Sequence, residues 1–535
     1  MIAMGRSQYA SRGEKRSENT VGSASLPQLF PSSSNQSVPE HGTFVEMEIP
    51  MKMKTRMLVT ALLASSVMPA AAFASPTVTL VRWHGIMQQA NADDHTPGVG
   101  IGEQGGPVRN ARAFAMTQLA VYDAVNSITK QNKQYNAIGL APAGASLDAA
   151  IACAAHGVLV NVYSTFTATF DAALAADLGS LGASQSTTDG CDIGETSAAA
   201  MIARRVGDGS EIGEVAPGGG GATGTGGTNF AGLPVNGPRT GVTFQWSADP
   251  IAQQGVAIGS HWGAVTPFIL ENGAQFRAPA PPVPGSPEYV TGWNMAAQVG
   301  QSPLVASSIP NTSTAAKRFV GNFWGYDGQP LLGTPPRLYS QIAIQVALEK
   351  GLTDTSELAR FLAVLHAGMA DAGVAAWDSK YFYDYWRPVT GVRADDGVAN
   401  TPSDAGWTPV GQSIANSASG APAIQVTPPF PAYPSGHATF GSVMANVLVK
   451  FFGDGSPFTF VSDEYDGVST DPFTPGVPRP LVPVRFAKFS DAKAENGISR
   501  IYNGVHWQWD NIEGQKIGKS IVHYMLGTSG EFKKK

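Results

Sequence analysis

The chain has 535 residues, more than a usual single domain, and 43% of them are hydrophobic against 14% charged, so a large core is within reach. Its 61 glycines and 38 prolines call for many long loops. A net charge of −6 argues against nucleic acid as the main partner, since proteins that bind it usually carry a basic surface.

Residues 1–50 are polar and serine-rich, with no sustained apolar period, and read as disordered or as an extension foreign to the natural start. Lys52, Lys54 and Arg56 then precede an apolar run over 57–67, and Ala72-Phe73-Ala74 is a small-x-small cleavage pattern. That is the layout of a secretory signal peptide over 51–74, with Met51 or Met53 as initiator and Ser75 as the mature start. The run is shorter than the roughly 20 apolar residues of a membrane anchor. No later segment reads as long and apolar enough to span a bilayer, so the mature chain is expected to be secreted or periplasmic. Export leaves open whether Cys153 and Cys191, the only cysteines, pair.

Helical spacing begins after Pro107. Residues 113–127, 146–163, 166–181 and 187–206 carry apolar positions at helical intervals and predict an N-terminal helical bundle over 75–215. Asp123 and His156 are expected to serve that bundle rather than chemistry. Residues 216–310 are dense in Gly, Pro and aromatics and predict an irregular excursion that wraps the body or shapes a pocket mouth; His261 within it reads as structural. Helical spacing returns over 314–324, 338–350, 355–377, 438–452, 489–502 and 511–526, predicting a C-terminal bundle over 311–527 and a tail over 528–535. Loops at 402–432 and a Pro-rich insertion at 453–483 interrupt it. The fold class expected is all-α, two helical bundles with long irregular loops and few strands.

Three stretches of the C-terminal half concentrate charge. In 380–388 (KYFYDYWRP), Lys380 and Arg387 are seven residues apart, which on a helix places both on one face until Pro388 ends it. Lys supplies a movable point charge and Arg a planar fork. The same stretch alone also fits a solvated helix face on which Asp384 pairs with both. In 434–437 (PSGH), Ser435 supplies a hydroxyl, Gly436 lets a backbone N–H approach an anion, and His437 is suited to proton transfer. The apolar helix that follows puts this turn at a helix N-terminus, where unpaired amides favour an anion. In 499–510 (SRIYNGVHWQWD), Asp510 lies four residues after His506 and can accept its Nδ1–H, leaving Nε2 as a nucleophile or metal ligand; Arg500 precedes both. Three cations, two histidines, a serine and a glycine suit a tetrahedral oxyanion, whose charge an enclosed site must neutralise.

Lys-x6-Arg-Pro, Pro-Ser-Gly-His and Ser-Arg-x5-His-x3-Asp, in this order, resemble the signature shared by the vanadium-dependent haloperoxidases and the related acid phosphatases. Residues 428–441 (PPFPAYPSGHATFG) and 496–510 are most similar to the chloroperoxidase-type haloperoxidases, and 111–128 resembles the N-terminal bundle of the bacterial members. The resemblance implies a vanadate cofactor with phosphate as a competing anion, in a site carried by the second bundle. His506 would ligate vanadium, and Lys380, Arg387, Arg500, Ser435 and Gly436 would hold the oxyanion. His437 would take the proton of incoming hydrogen peroxide while Lys380 polarises the peroxide for attack by halide. Trp377 and Phe430 match the aromatic lining of the halide side in chloroperoxidase-type sites. The implied partners are hydrogen peroxide, a halide ion and a small organic acceptor, with a homodimer left open. The same atoms would serve an acid phosphatase, with His506 attacking phosphorus, Asp510 orienting it and His437 protonating the leaving alcohol. A non-catalytic oxyanion-binding protein would use the cage alone.

Overall fold

The computed structural model describes residues 75–214, 244–252, 256–417, 426–472, 474 and 476–532. The expected signal peptide at 51–74 and the extension at 1–50 lie outside the described residues.

The described chain is all-α apart from one short antiparallel pair. Five helices come first: α1 (Ser75–Asp94), α2 (Pro107–Thr129), α3 (Leu147–Val162), α4 (Thr167–Leu181) and α5 (Gln185–Arg205). Each start that carries a capping residue follows ordinary helix chemistry. Pro107 sits in the first turn of α2, and the hydroxyls of Ser146 and Ser184 accept amides of α3 and α5. Cys153 of α3 and Cys191 of α5 form a disulfide, with Cα atoms 5.2 Å apart. Asp123 accepts the amides of Tyr135 and Asn136, and His156 pairs with Asp171, so both tie the N-terminal helices and their loops together.

The second group comprises α6 (Pro287–Val299), α7 (Ala315–Phe323), α8 (Pro335–Glu349), α9 (Thr355–Tyr383), α10 (Pro388–Gly391), α11 (Gly436–Phe452), α12 (Phe489–Tyr502) and α13 (Gln508–His523). Strands β1 (Phe458–Val461) and β2 (Pro483–Phe486) bracket much of the Pro-rich insertion, with Phe458 opposite Phe486. Helix α9 is the axis of the molecule. It packs against α2 on one side and α11 on the other, and its apolar residues join a hydrophobic core that runs from Leu80 to Phe532. By length and composition α9 could cross a bilayer, which corrects the expectation that no such segment follows the signal peptide. Its apolar window is 94% buried inside the protein, as a helix hydrophobic all round must be when it is central.

Besides helix α1, which starts before the first expected helix, two elements depart from the sequence reading. Helix α6 lies inside the stretch expected to be irregular: Ser286 caps it and Pro287 sets its first turn, which suffices against the surrounding Pro and Gly. The second departure concerns Lys380 and Arg387, which do not share one helix. Asp384 adopts a left-handed conformation (φ 52°, ψ 42°) and its amide bonds the carbonyl of Lys380, closing α9 one turn early. The chain then runs extended through Arg387 (φ −84°, ψ 157°), as a residue before proline prefers, and Trp386 bonds the carbonyl of Phe244.

Candidate active site

Four segments converge at the C-terminal end of α9 and the N-terminal end of α11. Lys380 comes from the last turn of α9 and is fully buried. Its Nζ donates to the carbonyls of Pro431 and Ala432 (2.8 and 2.9 Å), leaving one of three protons for a ligand. Arg387, swung away from α9 by the turn at Asp384, donates Nε to Phe430 O (2.9 Å) and Nη1 to Val505 O (2.7 Å) and His506 Nε2 (3.1 Å). Its Nη2 is buried with no acceptor, and so is Nε of Arg500.

His506 is fixed in one tautomer by its partners. A guanidinium can only donate, so Nε2 facing Arg387 carries a lone pair, while Nδ1–H donates to Asp510 Oδ2 at 2.8 Å. The same carboxylate oxygen accepts the Trp507 amide at 3.0 Å, which caps α13. Burial, then the charges of Arg387, Lys380, Arg500 and His437, pushes the His506 pKa well below 6.5, so the ring is neutral. Burial raises that of Asp510 to about 7, opposed by the Trp507 amide and the two nearest cations. Lys380 is held well below its usual value and Arg387 is lowered to about 9, in each case chiefly by burial.

Ser435 is the N-cap of α11: its Oγ accepts the Ala438 amide and its own amide donates to Asp510 O (2.9 Å). Gly436 is the first residue of that helix, so its N–H has no intrahelical acceptor. Helix α13 lies so close here that a Cβ at Gly514 would stand 2.7 Å from Ser435 O, which is why the two ends of the site stay in register. His437 is buried and its Nε2 donates to the carbonyl of Gly325 (2.8 Å), leaving Nδ1 as the basic nitrogen. Burial and the nearby Arg500 charge lower its pKa to about 3. Trp377 and Phe430 pack with ring centroids 4.8 Å apart, and Lys380 Nζ sits 5.4 and 5.0 Å from the two rings. Trp377 is anchored by Nε1–H to Ile258 O (3.0 Å), in a loop of the excursion expected to shape the pocket mouth. His261 is buried further along that loop, apart from the cage.

Asp327 was not visible from sequence. Arg500 forms a two-point pair with it (2.6 and 3.1 Å), and Oδ1 of Asp327 also lies 3.8 Å from His437 Nε2. It sits in a turn, GYDG over 325–328, with no motif and no periodicity to mark it. Tyr339 was also missed: its hydroxyl donates to Asn496 Oδ1 (2.8 Å), whose amide in turn holds the backbone carbonyl of His437 (2.9 Å).

Three fixed cations therefore meet two carboxylates, and two guanidinium nitrogens, one lysine proton and a helix-terminal amide have no acceptor there among the described residues. Such an excess of buried donors fits an oxyanion. Residues 360–532 match the VCPO second helical-bundle domain. That stretch, about a third of the chain, is similar to the VCPO-type bundle. Over 288 residues the chain is 30% identical to the vanadium chloroperoxidase of Curvularia inaequalis, covering 48% of this chain and 46% of that enzyme, so the match spans about half of that relative's length. A solved bacterial vanadium-dependent iodoperoxidase superposes with a TM-score of 0.62 at 20% identity, over 86% of this chain and 97% of that one. The holo form of a bacterial vanadium-dependent chloroperoxidase gives 0.55 at 15% identity, over 80% and 93%. The fold is thus the all-α fold of those enzymes. The matched stretch contains every residue of the three motifs together with Trp377 and Phe430, whereas Asp327 and Tyr339 precede it.

Proposed function

We propose that the protein is a vanadate-dependent haloperoxidase that oxidises halide with hydrogen peroxide to a hypohalous acid equivalent, which halogenates small organic acceptors. The observation that carries this reading is His506 Nε2, a neutral imidazole lone pair fixed by Asp510 and faced by three cations that are short of acceptors. Bound vanadate would supply a Lewis acid that activates peroxide toward halide without changing oxidation state.

The chain's own residues then have separable tasks. His506 would bind the metal through Nε2, and Asp510 keeps the proton on Nδ1. Lys380, Arg387, Arg500, the Ser435 hydroxyl and the Gly436 N–H would hold the oxygens. His437, with Nε2–H committed to the Gly325 carbonyl, offers Nδ1 to take a proton from peroxide. Lys380 can polarise an oxygen from beside the two aromatic faces, and Trp377 with Phe430 keeps water from the halide side. Phosphate, alike in shape and charge, competes for the same donors. The disulfide in the N-terminal helices and the signal layout at 51–74 support export to an oxidising compartment, secreted or periplasmic.

The test is bromination of monochlorodimedone by metal-free protein, with peroxide and bromide, before and after orthovanadate is added. Turnover that appears only with vanadate and is suppressed by phosphate is the expected result. Rapid hydrolysis of p-nitrophenyl phosphate by the apoprotein, with no halogenation after vanadate, would replace this reading with the acid phosphatase.

A further inference from the structure

The insertion between α11 and α12 carries a buried ion pair that holds the groups that hold two residues of the proposed site, Arg500 and His437. Glu464, on a short turn after β1, has no exposed surface, and its Oε2 is 2.5 Å from Arg479 Nη1. A buried carboxylate is costly unless every lone pair is used, and here the remaining bonds are instructive. Oε1 accepts the amide of Tyr326 (3.0 Å), the residue between Gly325 and Asp327. Oε2 also accepts the hydroxyl of Ser413 (2.6 Å), whose own amide donates to Asp327 Oδ2 (3.1 Å).

The contact with the turn is direct. A Cβ at Gly325 would stand 2.5 Å from Glu464 Oε1 and 2.9 Å from Ser413 Cβ, so the turn is seated against both side chains. Tyr326 itself has a left-handed backbone (φ 48°), a conformation unfavourable for a bulky residue unless its surroundings enforce it. The bond from its N–H to Glu464 is one such enforcement, and the bond from Asp463 N–H to the Tyr326 hydroxyl (2.7 Å) is another. The outcome of that geometry is the placement of two groups: the Gly325 carbonyl, which holds His437 Nε2–H, and the Asp327 carboxylate, which holds Arg500.

We propose that Glu464, paired with Arg479 and acting with Ser413, is a positioning residue that seats the 325–327 turn and thereby sets the orientation of His437 and Arg500 toward the oxyanion. The inference rests on the oxyanion reading of the site, and it assigns the Pro-rich insertion a role in that site rather than in surface decoration. Outer partners that orient ligand-holding groups typically change affinity by roughly 10- to 100-fold when removed.

The probes are inorganic phosphate and orthovanadate, with affinity measured by calorimetry on the full chain, alongside thermal unfolding. Glu464→Leu removes both acceptors and is expected to weaken phosphate and vanadate binding by about 10- to 100-fold. Glu464→Gln keeps an acceptor for the Tyr326 amide and should recover most of that loss. Ser413→Ala deletes only the hydroxyl link and should give an intermediate effect, so the proposal stays testable if Glu464→Leu does not fold. With vanadate loaded, kcat should fall in the Ser413→Ala and Glu464→Gln variants while KM for halide stays within about twofold, because the halide side is untouched. Variants that unfold at lower temperature but bind both anions as tightly as wild type would reduce the pair to a structural one and overturn the proposal. Failure of the wild-type protein to bind either anion would instead overturn the oxyanion reading itself.

Discussion

His506 and His437 stand in the same cluster of positive charge, and their hydrogen bonds give them different work. The Nε2 lone pair of His506 points among the cations because Asp510 takes the Nδ1 proton, whereas His437 spends its Nε2–H on a backbone carbonyl. On the proposed reading, removing the first ring removes the lone pair that would bind the metal, and removing the second removes the base. His506→Ala is therefore expected to lose measurable vanadate binding, while His437→Ala binds vanadate and loses roughly 100- to 10,000-fold in kcat, the usual contribution of a general base. Vanadate titration followed by steady-state bromination separates the two; the reverse order would exchange the roles. These residues were legible because each sits in a short motif whose neighbours have mutually consistent chemistry. Asp327 and Glu464 were not, since a lone carboxylate in a turn looks the same in sequence whether it faces solvent or a guanidinium.

At the scale of elements, α9 decides where the site can be, and side chains on its length fasten the long loops around it. Asp371, fully buried, accepts the amides of Phe268, Ile269 and Leu270 (2.6, 2.8 and 2.9 Å). Two turns later Asp378 forms a two-point pair with Arg277 (2.7 and 3.0 Å), and Trp377 holds the carbonyl of Ile258. The loop over 268–270 is irregular in backbone and yet fixed, because its amides are answered by a helix rather than by a sheet. Asp371→Ala would strand three donors in a dry environment. An expected loss of about 3 kcal/mol follows from roughly 1–3 kcal/mol per unanswered buried group, reduced where water enters. Urea unfolding of the variant measures it, and a loss under about 1 kcal/mol would mean that the loop is held by other contacts. Helices read correctly from sequence, such as α2, α3 and α11, carry apolar positions at helical spacing, with a first-turn proline in α2 and serine caps on α3 and α11. Helix α1 escaped because its inward side carries His84, Gln88, Asn91 and Asp94, so hydropathy shows no stripe where packing has one. The two cations of the first motif were placed on one helix for a similar reason: spacing is visible, but the left-handed turn at Asp384 that breaks it is not.

At the scale of the whole molecule, the N-terminal helices and the later helices share a core, and their junction contains a polar knot. His84 of α1 and His366 of α9 lie fully buried with ring centroids 5.4 Å apart, and the hydroxyl of Ser340 on α8 bridges their Nε2 atoms (3.0 and 3.3 Å). Burial lowers the pKa of His84 to about 3, and that of His366 well below 6.5, so both are neutral in the folded protein. In the unfolded chain each titrates near 6.5. As pH falls below that value the unfolded state takes up protons that the folded state refuses, and stability declines until the folded pKa is reached. Buried carboxylates act with the opposite sign: Asp123 and Glu464, both raised to about 7 by burial, favour the folded state as pH falls. The pH profile of the wild-type protein is therefore a balance, and only a difference between variants isolates one group. For His84 the difference at pH 5 amounts to about 2 kcal/mol, from about 1.4 kcal/mol per pH unit below 6.5. His84→Gln keeps a polar side chain beside Gln88 and Ser340 but cannot take up a proton. Urea unfolding at pH 7.5 and pH 5 should show the variant losing about 2 kcal/mol less than wild type between the two. Equal losses in both proteins would mean that His84 takes up its proton without unfolding, and that the junction between the two helical groups opens more readily than its packing implies.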